Sequence, residues 1–328
     1  MARIVTPTPQ SIEEAARILR DGGLVAIPTE TVYGLAADAR NGTAVAKVFK
    51  VKGRPSFNPL IVHVNSVQEA SRIAGLSDKE RIIAQNFWPG PLTMILKRRS
   101  DSGLSDLVTA GLDTVAVRVP THKTARDLIK ACGFPIAAPS ANISGSLSPT
   151  TPAHVAKSLG DKIDLILADG ACKVGLESTV LDCSGEHPLI LRPGGISAEE
   201  IARILGEEVS YDLGATDTPK SPGQLLKHYA PECAVRLNAI DLEEGEALLA
   251  FGSIKFMGMK GGGAASSLPD TMIRNLSESG DLYEAASNLF AMLRDLDKPE
   301  HKRIAVMAVP EKGIGIAIND RLKRAASG

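Results

Sequence analysis

Cysteine is scarce in this chain of 328 residues. There are four, Cys132, Cys172, Cys183 and Cys233, and none sits in a C-x-x-C pair. That pattern argues against a zinc ribbon or a dithiol redox motif, and four thiols in so long a chain are no disulfide scaffold. Aromatic residues make up 4%, too few for a single-strand nucleic-acid binder built on stacked rings. Neither sign of charge dominates, with 37 Lys+Arg against 38 Asp+Glu, so no global basic field exists to hold nucleic acid nonspecifically. No stretch approaches the roughly 20 apolar residues of a membrane span, and the opening "MARIVTPTPQ" lacks the apolar core of a signal peptide. The expectation is a soluble cytoplasmic protein with no membrane partner. Common signatures are missing too. There is no Gly-Lys pair for a Walker A loop, no G-x-G-x-x-G after a strand, no H-E-x-x-H and no G-x-S-x-G.

What is present is a globular composition. Apolar residues reach 44%, enough for a sizeable core, and the length suits two domains or one large one. In "SIEEAARILRDGG", Ser11 and Glu14 read as a capping box before a helix that Gly22-Gly23 ends. "LVAIP", "PLIVHV", "LTMILKR", "TVAVRVP", "PIAAP", "DLILAD", "STVLDC" and "LILRPG" read as strands. "TAVAKVFKVK", "SDKERIIAQNFW", "KTARDLIKACG", "PAHVAKSLG" and "SAEEIARILG" read as helices, the second and the last opened by further capping boxes. Consecutive helices in one place and three consecutive strands in another break strict βαβ alternation. They predict an α/β domain on a mixed twisted sheet over residues 8–205. Residues 206–232, rich in Pro, Gly and Thr, read as a linker, and 233–328 as a smaller α/β domain. In that domain 281–297 is an amphipathic helix and 258–267 a flexible Gly-rich loop.

Polar groups collect where strands end. "KGRPSFNPLIVHV" puts Lys52 and Arg54 on one loop with Gly53, Pro55 and Asn58. A planar donor fork and a mobile ammonium together suit a polyphosphate, although a solvated basic turn has the same letters. His63 alternates with Leu60, Val62 and Val64 and lies on the face of Ile61; a hydrogen-bonded core histidine is the plain alternative to a catalytic one. "PTETVYGLAADA" concentrates Thr29, Glu30, Thr31 and Tyr33 at a strand exit, which is either a ligand site or a capped helix start. "APSANISGSLSPT" adds Ser140, Asn142 and Ser148, whose hydroxyls and backbone N–H groups suit a phosphate or nucleoside. Ser178 and Arg192 follow in "GLESTVLDC" and "LRPGG", and Arg118 is a cation inside "VAVRVP". Together they predict a concave basic site for an anion plus a small polar ligand.

These segments, with "FWPGPLT", occur in one order and together resemble the YrdC-type threonylcarbamoyl-AMP synthases across nearly all of residues 8–205. "SPGQLLKHYAP" with the small domain behind it is similar to the long, two-domain branch of that family. The resemblance implies that L-threonine, bicarbonate and ATP, with Mg2+ accompanying the nucleotide, give threonylcarbamoyl-AMP and pyrophosphate. A separate tRNA threonylcarbamoyltransferase would receive the product, to make N6-threonylcarbamoyladenosine, and no stable nucleic-acid binding by this chain is expected. It places Arg54, Asn58, Ser140, Ser148 and Arg192 at ATP, with Asn142 in the nucleotide loop and Tyr229 folding over the nucleotide from a linker that acts as a lid. Thr31, His63 and Ser178 fall at threonine. Lys52 and Arg54 are the expected catalytic pair, and Arg118 is expected at ATP, because bringing two anions together needs cations. No protein metal site is expected. Phe57 stands where the family often has a polar residue, and Gln224 where it often has Met. Two other readings compete: an RNA-binding protein, and a carbamoyl-phosphate-dependent carbamoyl transferase, whose usual zinc-finger cysteines are missing here.

Overall fold

The computed structural model of the chain describes residues 2–214, 229–255, 257–260 and 262–327. They fall into two compact units. The first takes in 2–144, 148–173 and 177–214, the second 145–147, 174–176 and the residues from 229 onward. Of the expected linker, 215–228 lies outside the described residues, Gln224 included.

The first unit runs β1 (Arg3–Val5), α1 (Pro9–Arg20), β2 (Val25–Ile27), β3 (Gly34–Asp38), α2 (Gly42–Lys52), β4 (Ile61–His63), α3 (Val67–Ile73), α4 (Asp78–Phe87), β5 (Leu92–Lys97), α5 (Asp106–Thr109), β6 (Thr114–Arg118), α6 (Lys123–Cys132), β7 (Ile136–Ala137), α7 (Pro152–Leu159), β8 (Leu165–Leu167), β9 (Thr179–Asp182), β10 (Leu189–Arg192), α8 (Ala198–Leu205) and β11 (Ser210–Tyr211). Among the described residues eleven strands make one sheet in the order β1-β8-β2-β3-β7-β4-β6-β5-β9-β10-β11. It is mixed, as expected: β4 and β6 are parallel, β5 is antiparallel to β6 and parallel to β9, and β10 is antiparallel to β9.

One local expectation changes and one open alternative closes. Helix α1 starts at Pro9, not after Ser11. Thr8 is its cap, Ser11 closes the capping box from inside, and Glu14 instead pairs with Arg3 at 2.6 Å. A proline at the first helical position has its φ preset and no N–H to leave unpaired, so it draws the start forward. Residues 28–39 do not open a helix. The chain turns after β2 and returns as β3, antiparallel to it. The capping boxes of α4 (Ser77 and Glu80) and α8 (Ser197 and Glu200) are where the sequence puts them.

Period-two alternation sorts the middle of the sheet. Leu60, Val62 and Val64 join Leu92, Met94, Leu96, Val115 and Val117 in the large core on one face. Ile61, Ile95, Ala116, Val180 and Leu191 cluster on the other. The next cross-strand row beyond Ile61, Ala116 and Ile95 is polar on β4, β6 and β5: His63 pairs with Arg118 and Arg118 with Thr93. This row is the last residue of β4, the last of β6 and the second of β5. It therefore marks one edge of the sheet, the edge to which Arg192 at the end of β10 and Ser178 just before β9 also belong.

The second unit contains β12 (Val235–Arg236), β13 (Asp241–Leu242), β14 (Glu246–Ala250), β15 (Gly258–Met259), β16 (Ile273–Asn275), α9 (Leu282–Leu296), β17 (Arg303–Val306) and α10 (Ile314–Ala325). Its parallel sheet is ordered β12-β17-β14-β16, with β13 and β15 forming a separate pair. Helix α9 buries Ala286, Leu289, Leu293 and Leu296. Helix α10, unassigned from sequence, buries Ile314, Ala317, Ile318 and Leu322 despite its many polar residues. Among the described residues no helix is long and apolar enough to cross a membrane.

Candidate active site

Lys52 is the last residue of α2, and Gly53 stops the helix in the left-handed region at φ 60°, where a glycine has no Cβ to strain. The ammonium turns inward. Lys52 Nζ donates to the carbonyls of Ser140 and Asn142, both at 2.6 Å, and reaches Asn142 Oδ1 at 3.4 Å. Ser144 N–H donates back to the Lys52 carbonyl at 2.7 Å. Burial, then the charge of Arg54, push the Lys52 pKa well below its ordinary value, while Glu177 pulls it up. Three acceptor oxygens match the three N–H groups of an ammonium. The basic loop is thereby clamped to the 138–150 loop.

Arg54 is buried and braces the turn after it. Nε donates to the Asn58 carbonyl at 3.1 Å, and Nη2 to Asn58 Oδ1 at 2.5 Å and to the Pro59 carbonyl at 2.9 Å. A guanidinium only donates, which fixes the Asn58 amide with its oxygen toward Arg54. Asn58 Nδ2 then faces away, buried, and meets no acceptor among the described residues. A buried N–H2 without an acceptor is costly, and an anionic ligand would satisfy it. Phe57 on the same turn is exposed.

Arg118 anchors a second group. Nη2 meets Glu30 Oε1 at 2.5 Å, Nη1 donates to Thr31 Oγ1 at 2.9 Å and Nε to the Gly90 carbonyl at 3.3 Å. Thr121 N–H takes the other Glu30 oxygen at 3.1 Å. Burial alone would raise the Glu30 pKa, but the charge and hydrogen bond of Arg118 outweigh it and hold the carboxyl below its usual value. Thr29 spends its proton on the Val32 carbonyl, so the 2.8 Å Thr29–Thr31 bond is donated by Thr31. Thr31 keeps one lone pair for a ligand. His63, opposite Arg118, is pushed down to about 3 by burial and then by that guanidinium. Its Nδ1 lies 3.3 Å from the Ile61 carbonyl, which assigns the proton to Nδ1 and leaves Nε2 an acceptor.

The third group surrounds Ser178. Arg192 donates to the Ser178 carbonyl from Nε at 3.1 Å and Nη2 at 3.0 Å, and to Ser178 Oγ from Nη2 at 3.1 Å. Thr93 Oγ1 is 2.7 Å from Ser178 Oγ. A Cβ on Gly194 would stand under 3.0 Å from backbone atoms of Glu177, Ser178 and Thr179, so only glycine lets the turn after Arg192 lie against this segment. Ser148, fully buried, donates to Glu177 Oε1.

Several of the expected residues of the first unit are linked through Glu177 and Thr93. Glu177 bonds Ser148, acts on Lys52 and precedes Ser178, while Thr93 touches Ser178 and stands opposite Arg118. Ser140 contributes its carbonyl to Lys52 and is half-buried. Tyr229 belongs to the second unit, buried with its ring 5.5 Å from that of Phe290 and 5.3 Å from the Arg321 guanidinium carbon. Glu30, Thr93 and Glu177 were not among the expected contacts, although each lies inside a segment the sequence singles out. Their signal is a carboxylate or hydroxyl next to, or in register with, a nominated cation or serine.

A large mixed sheet with helices around it is the YrdC-like architecture. The family model for Sua5, YciO and YrdC proteins, described as "Telomere recombination", matches residues 17–194. The model described as "Threonylcarbamoyl-AMP synthase, C-terminal domain" matches 196–327. Threonylcarbamoyl-AMP synthase of Bacillus subtilis (strain 168) is 40% identical over 98% of this chain and 94% of its own length. That of Pyrococcus abyssi (strain GE5 / Orsay) is 40% identical over 98% and 97%. The crystal structure of P. abyssi Sua5 complexed with L-threonine superposes with a TM-score of 0.87 at 37% identity, covering 99% of this chain and 97% of that one. The chain belongs to the threonylcarbamoyl-AMP synthase family, enzymes of the nucleotidyltransferase type.

Proposed function

We propose that this chain converts L-threonine, bicarbonate and ATP into L-threonylcarbamoyladenylate and pyrophosphate. The observation that supports it is the set of buried cations, carboxylates and hydroxyls that hydrogen bonds fix in the first unit from residues far apart in sequence, with His63, Arg118, Thr93, Ser178 and Arg192 at one edge of its sheet. The amine of threonine attacks CO2 derived from bicarbonate and loses a proton, giving a carbamate. A carbamate oxygen then attacks the α-phosphorus of ATP and pyrophosphate leaves. Neither step needs a side-chain nucleophile. Both need the reactants held in line, and the second brings two anions together, the task of positioning and fixed positive charge.

Arg54, Asn58, Ser140, Asn142, Ser148 and Arg192 make the ATP side, where the Asn58 amide has donors to give a phosphate. Thr31, His63 and Ser178 make the threonine side. Arg118, expected at ATP, is better assigned to the threonine side, because it bonds Thr31 and stands beside His63. His63 with its depressed pKa is a neutral acceptor that orients the amino acid and is too weak a base to drive proton transfer. Lys52 and Arg54 act by holding the two loops that enclose the phosphates. Mg2+ enters as part of the substrate, on the triphosphate oxygens. The product passes to a tRNA threonylcarbamoyltransferase in the cytoplasm. The test is pyrophosphate release from MgATP and bicarbonate. Release that depends on L-threonine supports the proposal, and release indifferent to threonine overturns it.

A further inference from the structure

The "FWPGPLT" segment touches both halves of the site. The Gly90 carbonyl accepts from Arg118, and Thr179 N–H donates to the Pro91 carbonyl at 3.0 Å. Its last residue, Thr93, is fully buried on β5, opposite Arg118 on β6 and bonded to Ser178. We propose that Thr93 is a positioning residue that makes Ser178 a hydrogen-bond donor toward an oxygen of the bound amino acid. The inference rests on the assignment of Ser178 to threonine.

Protons and lone pairs decide which way each bond runs. A hydroxyl has one proton and two acceptor positions. Arg192 only donates, so its bond to Ser178 Oγ fills one lone pair. Among the described residues the Thr93 hydroxyl has one hydrogen bond, to Ser178. If Ser178 donated in that bond, the Thr93 proton would sit fully buried with no acceptor, a costly arrangement. Thr93 therefore donates. Both lone pairs of Ser178 are then filled, and its proton is left to point away from Thr93 and Arg192. A hydroxyl held this way greets a carboxylate or hydroxyl oxygen and gives nothing to an ammonium. Thr31 is biased the opposite way, its proton spent on Thr29 and one lone pair left. One donor and one acceptor of fixed sense define the orientation of an amino acid between them.

Thr93→Val keeps the shape and deletes the donor. It is expected to raise KM for L-threonine about tenfold, the weight of one hydrogen bond whose loss frees Ser178 to rotate, while KM for ATP stays in place. Thr93→Ser is expected to match wild type. In a Ser178→Ala background Thr93→Val is expected to add nothing to KM for threonine. Should Thr93→Val fail to fold, Thr93→Ala reads the same split between the two KM values. The inference is overturned if KM for threonine does not move, if both KM values rise together, if Thr93→Ser is as impaired as Thr93→Val, or if the effect persists without Ser178. An inactive wild type would refute the proposed function instead, so the two failures are distinguishable.

Discussion

Replacing Glu30 by Gln tests the electrostatic frame of the site. Glu30 and Arg118 are 7% and 3% exposed, and their ion pair measures 2.5 Å, so the pair is in the buried regime and solvent screens it little. Breaking such a pair by removing one charge costs about 3–5 kcal/mol, because the other charge stays buried without compensation. The glutamine retains an oxygen for either Arg118 or Thr121 N–H but not the charge, which puts the expectation at the lower end, about 3 kcal/mol. At a urea slope of about 3 kcal/mol per molar this moves the unfolding midpoint down by about 1 M. The assay is built into the chain: its one tryptophan, Trp88, is buried in the first unit, so fluorescence follows the unit that carries the pair. Glu30→Gln combined with Arg118→Gln should be less destabilised than the two single changes added together. A midpoint for Glu30→Gln within about 0.2 M of wild type, equivalent to an ordinary surface substitution, would refute the reasoning.

Two further outcomes follow from the same network. Lys52→Met strips the Ser140 and Asn142 carbonyls of a buried donor; it should lower stability by about 2 kcal/mol and threonine-dependent pyrophosphate release by about a hundredfold through misplaced loops, and a variant with wild-type turnover would exclude the clamp. His63 has a folded pKa of about 3 against an ordinary 6.5, so between those values the unfolded chain binds a proton that the native state does not. Its contribution to stability is complete above about pH 6.5 and is lost as pH falls toward 3; His63→Gln should flatten that part of the stability–pH curve, and an unchanged slope would count against a buried neutral imidazole.

Legibility in the sequence followed how local each cause is. Capping boxes in α4 and α8, the His63 alternation and the mixed sheet were readable because each rests on neighbouring residues or on a period of two. The start of α1 was misjudged because Thr8 and Ser11 both look like caps and Pro9 decides between them. The turn between β2 and β3 hid behind threonines that serve Arg118 and each other, not a helix. The sequence nominates Lys52, Arg54, Arg118 and Arg192, but not the directions in which they point. Sequence suggests cations offered outward to phosphate, whereas each spends most of its described donors on carbonyls, hydroxyls or Glu30. Thr93 and Glu177 escaped, and Glu30 was noted without its partner Arg118, because the partners lie tens of residues away in sequence.

The central claim is that threonine, one-carbon carboxylate and the AMP moiety end in one molecule. Incubation with L-threonine, MgATP and 13C-bicarbonate, followed at once by mass spectrometry, tests it most directly. An adduct carrying threonine, AMP and a single heavy carbon is the predicted result. AMP and pyrophosphate with no labelled adduct, or an adduct in which threonine is joined to AMP without the labelled carbon, would contradict it.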